Sequence, residues 1–162
     1  MDLDTLYMQQ ALEQARIAGI QGEVPVGAIL VSQGEVIGRG ANCPIGQCDP
    51  TAHAEIQALR AAGRFTGNYR LVESILYVTI EPCAMCWGAL VHGRVAEVVY
   101  AAAEPKAGVV STQAHWLNSG WGNHRVLIRQ GPCADEASEL MQRFFAERRE
   151  RKKQLKSLDP SE

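Results

Sequence analysis

The sequence predicts an α/β protein, a three-layer α/β/α sandwich around a mixed sheet of roughly five strands. Three observations carry this reading. Short, nearly continuous apolar runs at 25–31 and 74–80 have the length and residue types of strands buried on both faces. Stretches with helical spacing of apolar residues separate them, so the chain reads helix, hairpin, helix, strand, helix, strand, strand, helix. The composition, 46% hydrophobic and 21% charged over 162 residues, is that of one ordinary globular domain whose core needs no disulfide staples. That domain is expected to span 1–156, with 157–162 a frayed tail.

Residues 4–18 place Leu6, Tyr7, Leu12, Ala15 and Ala18 at mixed three- and four-residue spacings, an amphipathic helix with Asp4 as N-cap and Gly19 as stop. The strand at 25–31 turns at Gln33-Gly34 and returns over 35–41. Gly38 and Gly40 form a lone G-x-G, read as strand and turn glycines because no third glycine or helix follows. Residues 42–50 (NCPIGQCDP) are loop, with two prolines, a glycine and an Asp-Pro step. AEIQALRAA, 54–62, is rich in helix formers and closed by Gly63. The strand at 74–80 delivers the chain to Glu81-Pro82, and proline suits the first turn of the helix that follows. A strand at 95–100 comes next, then an irregular stretch over 101–124 with a short helix near 113–117, and a strand at 126–128. The last helix, 135–156, is acidic at its start (Asp135, Glu136) and basic at its end, the order its dipole favours.

The reactive residues concentrate in two strings, His53-Ala54-Glu55 and Pro82-Cys83-Ala84-Met85-Cys86, with 26 residues between them. Cys83 and Cys86, three apart on a helix, share one face. A helix N-terminus favours negative charge and so the thiolate form that binds metal. His53 stands at the start of the other helix, so two helix starts facing one another would put three ligands around one ion. Catalytic zinc takes three protein ligands and keeps a fourth position open, which leaves Glu55 free to move protons. A C-x-x-C alone is also compatible with a redox pair or half of a structural zinc site. Structural zinc would need a fourth ligand from Cys43, Cys48, Cys133, His92, His115 or His124, and a redox pair leaves Glu55 unexplained. Glu81 is a second carboxylate nearby, whose place before Pro82 suits a helix start better than catalysis. Asn42, heading the loop into His53, either offers its amide to a purine edge or closes the strand in an Asx turn; the sequence leaves both open.

The N-terminal MDLDTLYMQQ lacks the basic-then-apolar order of a secretory leader, and no apolar run approaches the ~18 residues of a membrane span. Five cysteines, an odd number with two assigned to metal, favour a reducing cytoplasm over a disulfide framework. Charge is unevenly spread. Residues 143–156 hold seven basic and two acidic residues, a local +5 in a chain of net −2, so the remainder carries −7. A basic helix end is commonly only a solvated face; here Phe144 and Phe145 adjoin Arg148 and Arg149, which sets stacking surfaces beside phosphate-binding cations.

The H-x-E and P-C-x-x-C strings resemble the signature of zinc deaminases acting on bases, in which the Glu is general acid/base and not a ligand. Flanking strings narrow the likeness: Glu23-Val-Pro-Val-Gly-Ala, Asn42-x-Pro-Ile-Gly, Asp49-Pro-Thr-Ala-His-Ala-Glu-Ile, Asn68-Tyr-Arg-Leu, Leu76-Tyr-Val-Thr, Glu81-Pro-Cys-x-Met-Cys and Asn123-His-Arg-Val. From about residue 3 to residue 153 the chain resembles the bacterial tRNA-specific adenosine deaminases. The resemblance implies a cytidine-deaminase-like fold, a homodimer, and one Zn²⁺ per chain on His53, Cys83 and Cys86 with water as fourth ligand. It implies conversion of the wobble adenosine of a tRNA anticodon loop to inosine, chiefly in an arginine tRNA. By the same resemblance Glu55 carries protons, Asn42 holds the base, and the backbone near Ala54 and Ala84 contacts its edge or the zinc-bound oxygen. Phe144, Phe145, Arg148 and Arg149 then meet the anticodon stem-loop, and Glu104 sits in a loop beside the substrate strand. The chain departs from the family at that loop, with Glu104-Pro105-Lys106-Ala107-Gly108 where many members show D-x-K-x-G; this bears on substrate range, not on reaction class. Two alternatives are a deaminase of free bases or nucleosides, of guanine or cytosine type, and a non-catalytic zinc-stabilised RNA-binding subunit. The basic helix argues against the first and Glu55 against the second.

Overall fold

The computed structural model describes residues 1–159. In chain order its elements are α1 (Leu3–Ile20), β1 (Gly27–Ser32), β2 (Glu35–Ala41), α2 (Pro44–Gln47), α3 (Ala54–Thr66), β3 (Ser74–Ile80), α4 (Ala84–His92), β4 (Glu97–Ala102), α5 (Val109–Asn118), β5 (Leu127–Gln130) and α6 (Ala134–Leu158). One mixed sheet runs β2-β1-β3-β4-β5. β1 is antiparallel to both neighbours, whereas β3, β4 and β5 are parallel. Gln33 and Gly34 both have positive φ, 50° and 80°, the turn whose twist matches that of the β1–β2 hairpin.

Alternation along the central strands builds two cores. Ala28, Leu30, Leu76, Val78, Val98 and Tyr100 face α3 and α4, while Ile29, Val31, Tyr77, Val99 and Ala101 face α1 and α6. Helices on both faces of a five-stranded sheet give the expected three layers. No helix among the described residues is long and apolar enough to cross a membrane.

The Gly38-x-Gly40 pair serves neither phosphate nor turn. A Cβ at Gly38 would collide with the α3 backbone at Ala58, and one at Gly40 with the backbone at Ala54 and Ala58. Helix and strand thus approach backbone to backbone, which fixes the start of α3, and with it His53 and Glu55, against the sheet.

Several boundaries differ from those the sequence predicts. α1 is capped by Asp2, whose carboxylate accepts from Thr5 N at 2.8 Å; Asp4 instead pairs with Arg129 and Tyr77 across the sheet. Gly19 does not stop α1, and Gly63 does not stop α3, which continues to Gly67 with its left-handed φ of 66°. α4 begins at Ala84 with Cys83 as N-cap, so Pro82 lies outside it. The 42–50 loop contains the one-turn α2. The 101–124 stretch is more regular than expected, since α5 spans ten residues with a kink at Gln113 (φ −130°, ψ 35°). Of the expected tail, Ser157 and Leu158 are helical, and 160–162 lie outside the described residues.

Candidate active site

His53 and Cys83 are the N-cap residues of α3 and α4, each with extended backbone (φ −70°, ψ 157° and φ −77°, ψ 173°) and neither giving a side-chain cap bond. Their side chains turn toward each other instead. His53 Nδ1 lies 3.7 Å from Cys83 Sγ and 3.5 Å from Cys86 Sγ, and the three ligand atoms lie within 4.8 Å of one another. Ligands about 2.0–2.3 Å from a shared tetrahedral ion sit roughly 3.5–3.8 Å apart, so the donor set fits zinc. No fourth residue joins the group among the described residues. His124, one of the alternatives, turns its ring nitrogen to the Val95 carbonyl at 2.7 Å. The structure therefore gathers three donors that could hold a metal, the number that a site with an open position would need.

The electrostatics of the group agree with that use. Cys83 is held down to about 4, chiefly by its hydrogen bond with Cys86 and also by the His53 imidazole. Cys86 is pushed up, first by its bond to Cys83 and then by burial. One negative charge thus already rests on the sulfur pair, and a cation would stabilise the second thiolate. His53 is raised, chiefly by its bond to Cys83. Glu55, second residue of α3 and 4% exposed, is raised above the usual carboxylate range, chiefly by burial. A carboxyl lifted this way can hold or release a proton nearer to neutrality, as a general acid/base must.

A cavity of about 310 Å³ opens over these residues. Asn42, His53, Glu55, Glu81, Cys83 and Glu104 line it, with Val24, Val26, Ile80 and Met141 as apolar wall. Asn42 Nδ2 donates to the Val24 carbonyl at 3.1 Å, which leaves its carbonyl oxygen as the free acceptor; no Asx turn forms. Ala54 and Ala84 open α3 and α4, where the first intrahelical bonds are Gln57 N to His53 O and Trp87 N to Cys83 O, but neither alanine is in the cavity lining. Glu104 Oε1 accepts from Lys106 N at 2.9 Å. Phe144, Phe145, Arg148 and Arg149 stand outside the cavity on α6, beginning one turn beyond Met141. Phe144 and Phe145 meet edge to face at 5.4 Å, and the Arg148 guanidinium lies 5.0 Å over the Phe144 ring.

Two residues in this region were not legible. Met141 reads as part of an amphipathic helix, and its place on the cavity wall follows only from how α6 crosses the sheet. Glu23, which the sequence offers only as part of the Glu23-Val-Pro-Val-Gly-Ala string, is buried. Glu81 belongs near the site as expected, but it supports α5 and not the start of α4: it accepts from Ser111 N at 2.9 Å and Ser111 Oγ at 2.7 Å.

Residues 3–149 match the MafB19-like deaminase family. A tRNA-specific adenosine deaminase of Haemophilus influenzae is 44% identical over 158 residues, 97% of this chain and 91% of that one. The chain belongs to the MafB19-like deaminases, with the tRNA-specific adenosine deaminases. The deaminase also resembles solved structures. One, from work on A-to-I editing by tRNA:A34 deaminases at the wobble position of transfer RNA, superposes with a TM-score of 0.80 at 39% identity over 84% of this chain and 99% of that one. Guanine deaminase from Bacillus subtilis gives 0.62 at 30% identity over 88% and 93%. The five-stranded sheet of the deaminase is therefore the cytidine-deaminase-like α/β fold that the sequence predicts.

Proposed function

We propose that this deaminase converts the wobble adenosine of a tRNA anticodon loop, chiefly that of an arginine tRNA, to inosine. The observation that carries it is the gathering of three metal donors and a buried, unliganded Glu55 at one cavity, in a chain 44% identical to a tRNA-specific adenosine deaminase. His53, Cys83 and Cys86 would hold zinc. Zinc bound there would supply a water acidic enough to act as nucleophile near neutral pH.

Glu55 takes a proton from the attacking water as its oxygen adds to C6 of adenine and passes it to N1; it then takes the remaining proton of the new C6 hydroxyl and gives it to the leaving amine. Adenosine and water become inosine and ammonia. Asn42 presents its carbonyl oxygen to the bound nucleotide, and the first-turn amides at Ala54 and Ala84, which lack intrahelical acceptors, offer donors to its edge. The base must leave its stack to reach Glu55. Phe144, Phe145, Arg148 and Arg149 supply stacking and phosphate contacts for the stem-loop outside the cavity. The functional unit is a homodimer of chains whose 1–156 segment forms one domain, working in the cytoplasm, where tRNA is found.

The competing substrate class is a free base, favoured by the likeness to a guanine deaminase; a small base has no use for the basic face of α6. Purified protein is incubated with an anticodon stem-loop bearing a wobble adenosine and, in parallel, with adenine, guanine and cytidine. Inosine should form in the stem-loop alone, and faster ammonia release from guanine would overturn the assignment.

A further inference from the structure

Two buried carboxylates stand beside the cavity without joining the metal ligands or the proton relay. Glu23, 3% exposed, accepts from Ile45 N through Oε1 and from Gly46 N through Oε2, both at 3.0 Å. These are consecutive amides at the head of α2, whose N-cap Cys43 provides no side-chain bond. Glu81, also 3% exposed, accepts from Glu104 N at 3.2 Å and Ser111 Oγ at 2.7 Å through Oε1, and from Ser111 N at 2.9 Å through Oε2. One carboxylate thus joins the turn at 104–108 to the first residues of α5. A Cβ on Gly108 would overlap that carboxylate, so the backbone there is seated directly on it.

The two held segments contribute to the same lining: Asn42 and Pro44 border one, Glu104 and Ala107 belong to the other. Burying a carboxylate is costly unless its oxygens are satisfied, and charge-assisted bonds to N–H groups are roughly twice as strong as neutral ones. Both acids spend their acceptor capacity on backbone amides and one serine hydroxyl. We propose that Glu23 and Glu81 are positioning residues that set the two loop walls around the target nucleotide, and that neither transfers a proton. The identity of that nucleotide rests on the function proposed above.

Glu23→Gln and Glu81→Gln test this. Each keeps the side-chain size but sets an NH₂ against backbone N–H groups, which can only donate. Each variant should bind the same zinc per chain as the parent. KM for the anticodon stem-loop should rise about tenfold while kcat changes less than about threefold, the pattern of lost positioning and not of lost proton transfer. Ser111→Ala removes one bond only and should show the same change at smaller size. Amide exchange, read on the protein without substrate, should speed about tenfold or more at Ile45 and Gly46 in Glu23→Gln, and at Glu104 and Ser111 in Glu81→Gln, each leaving the other pair unchanged. A collapse of kcat at unchanged KM would make the residue a proton carrier, and activity lost in step with zinc would make it part of the metal site; either overturns the proposal. If the parent leaves the stem-loop untouched while the exchange pattern appears as expected, the proposed substrate fails and the wall-holding role stands.

Discussion

Truncation after Ala146 removes Arg148, Arg149, Arg151, Lys152, Lys153 and Lys156 but spares Phe144 and Phe145. The described residues lost, 147–159, are all exposed, so no described core residue goes with them. At about 100° per residue, Arg148, Arg149, Lys152, Lys153 and Lys156 fall within an arc of roughly 140°, while Glu147 and Glu150 point to the far side. Five cations on one face, spread along about 12 Å of helix, can meet one phosphate strand together. Each phosphate contact contributes about 0.7–0.9 to the slope of log K against log salt, so truncation should flatten the slope by about 3.5–4.5. Between 50 and 200 mM salt the intact chain should therefore lose about 100–500 times more affinity for the stem-loop than the truncated one. Fluorescence anisotropy with a labelled stem-loop across that range reads both values, and zinc content should be the same in both proteins. Replacing Arg149, Lys152 and Lys153 together by Ala keeps the helix and should flatten the slope by about 2.1–2.7, three-fifths of the change expected on truncation. Equal slopes for intact and truncated chains would refute the reasoning and leave the basic face as solvated surface.

Four further outcomes follow from the site and the sheet. Cys83→Ser and Cys86→Ser should each lose the metal that the parent binds at about one per chain, measured by atomic absorption; zinc retained in both would remove those ligands from the assignment. Glu55→Gln should keep zinc and RNA affinity while single-turnover deamination drops by about 10²–10⁴; a smaller loss would require another proton carrier, and Glu81, with both oxygens already bonded, is poorly placed to be one. Glu104→Gln should narrow the ratio of RNA to DNA hairpin deamination, by losing a charged bond to a ribose 2′-OH worth about 1.5–3 kcal/mol and easing repulsion of the strand; an unchanged ratio leaves Glu104 without this role. Asp4 is held below the usual carboxylate range, chiefly by its hydrogen bond with Arg129. Its stabilisation is complete above the unfolded value of about 3.9 and fades as pH falls through the lower folded value. Asp4→Asn should accordingly lower the urea midpoint at pH 7 and cease to matter in strong acid, and a penalty that persists there would assign the effect to packing.

What the sequence revealed depended on the range of the cause. The strand at 74–80 is legible because burial on the sheet imposes local residue types, and the one at 35–41 because the Gln33-Gly34 turn announces its return. The group of His53, Cys83 and Cys86 is legible because its members sit at fixed spacings beside helix starts. Boundaries decided by single hydrogen bonds were not: Asp2 and Asp4 are both competent caps, and only the Arg129 and Tyr77 partners across the sheet release Asp4 from that task. α5 was under-read because its start is held by Glu81, 30 residues earlier, and not by a cap of its own. Glu23 was invisible for the same reason, since its partners lie 22 and 23 residues downstream. Asn42 stayed ambiguous until its amide was seen to bond the Val24 carbonyl at the cavity wall.

The way Glu81 grips its loop bears on how such a site can change over time. Its bonds fall on the amides of Glu104 and Ser111 and on one hydroxyl, and its packing falls on Gly108. Side chains at 105, 106 and 107 take no part in the grip. Mutation can therefore sample new residues there while the backbone keeps its course, and only positions 108 and 111 are constrained by the anchor itself. The Glu-Pro-Lys-Ala-Gly sequence departs from the commoner pattern at Glu104, where the anchor bonds the backbone amide and not the side chain, and it keeps the glycine. An engineer who randomises 105–107 starts from a loop whose backbone is already held, far in sequence from His53 and Glu55.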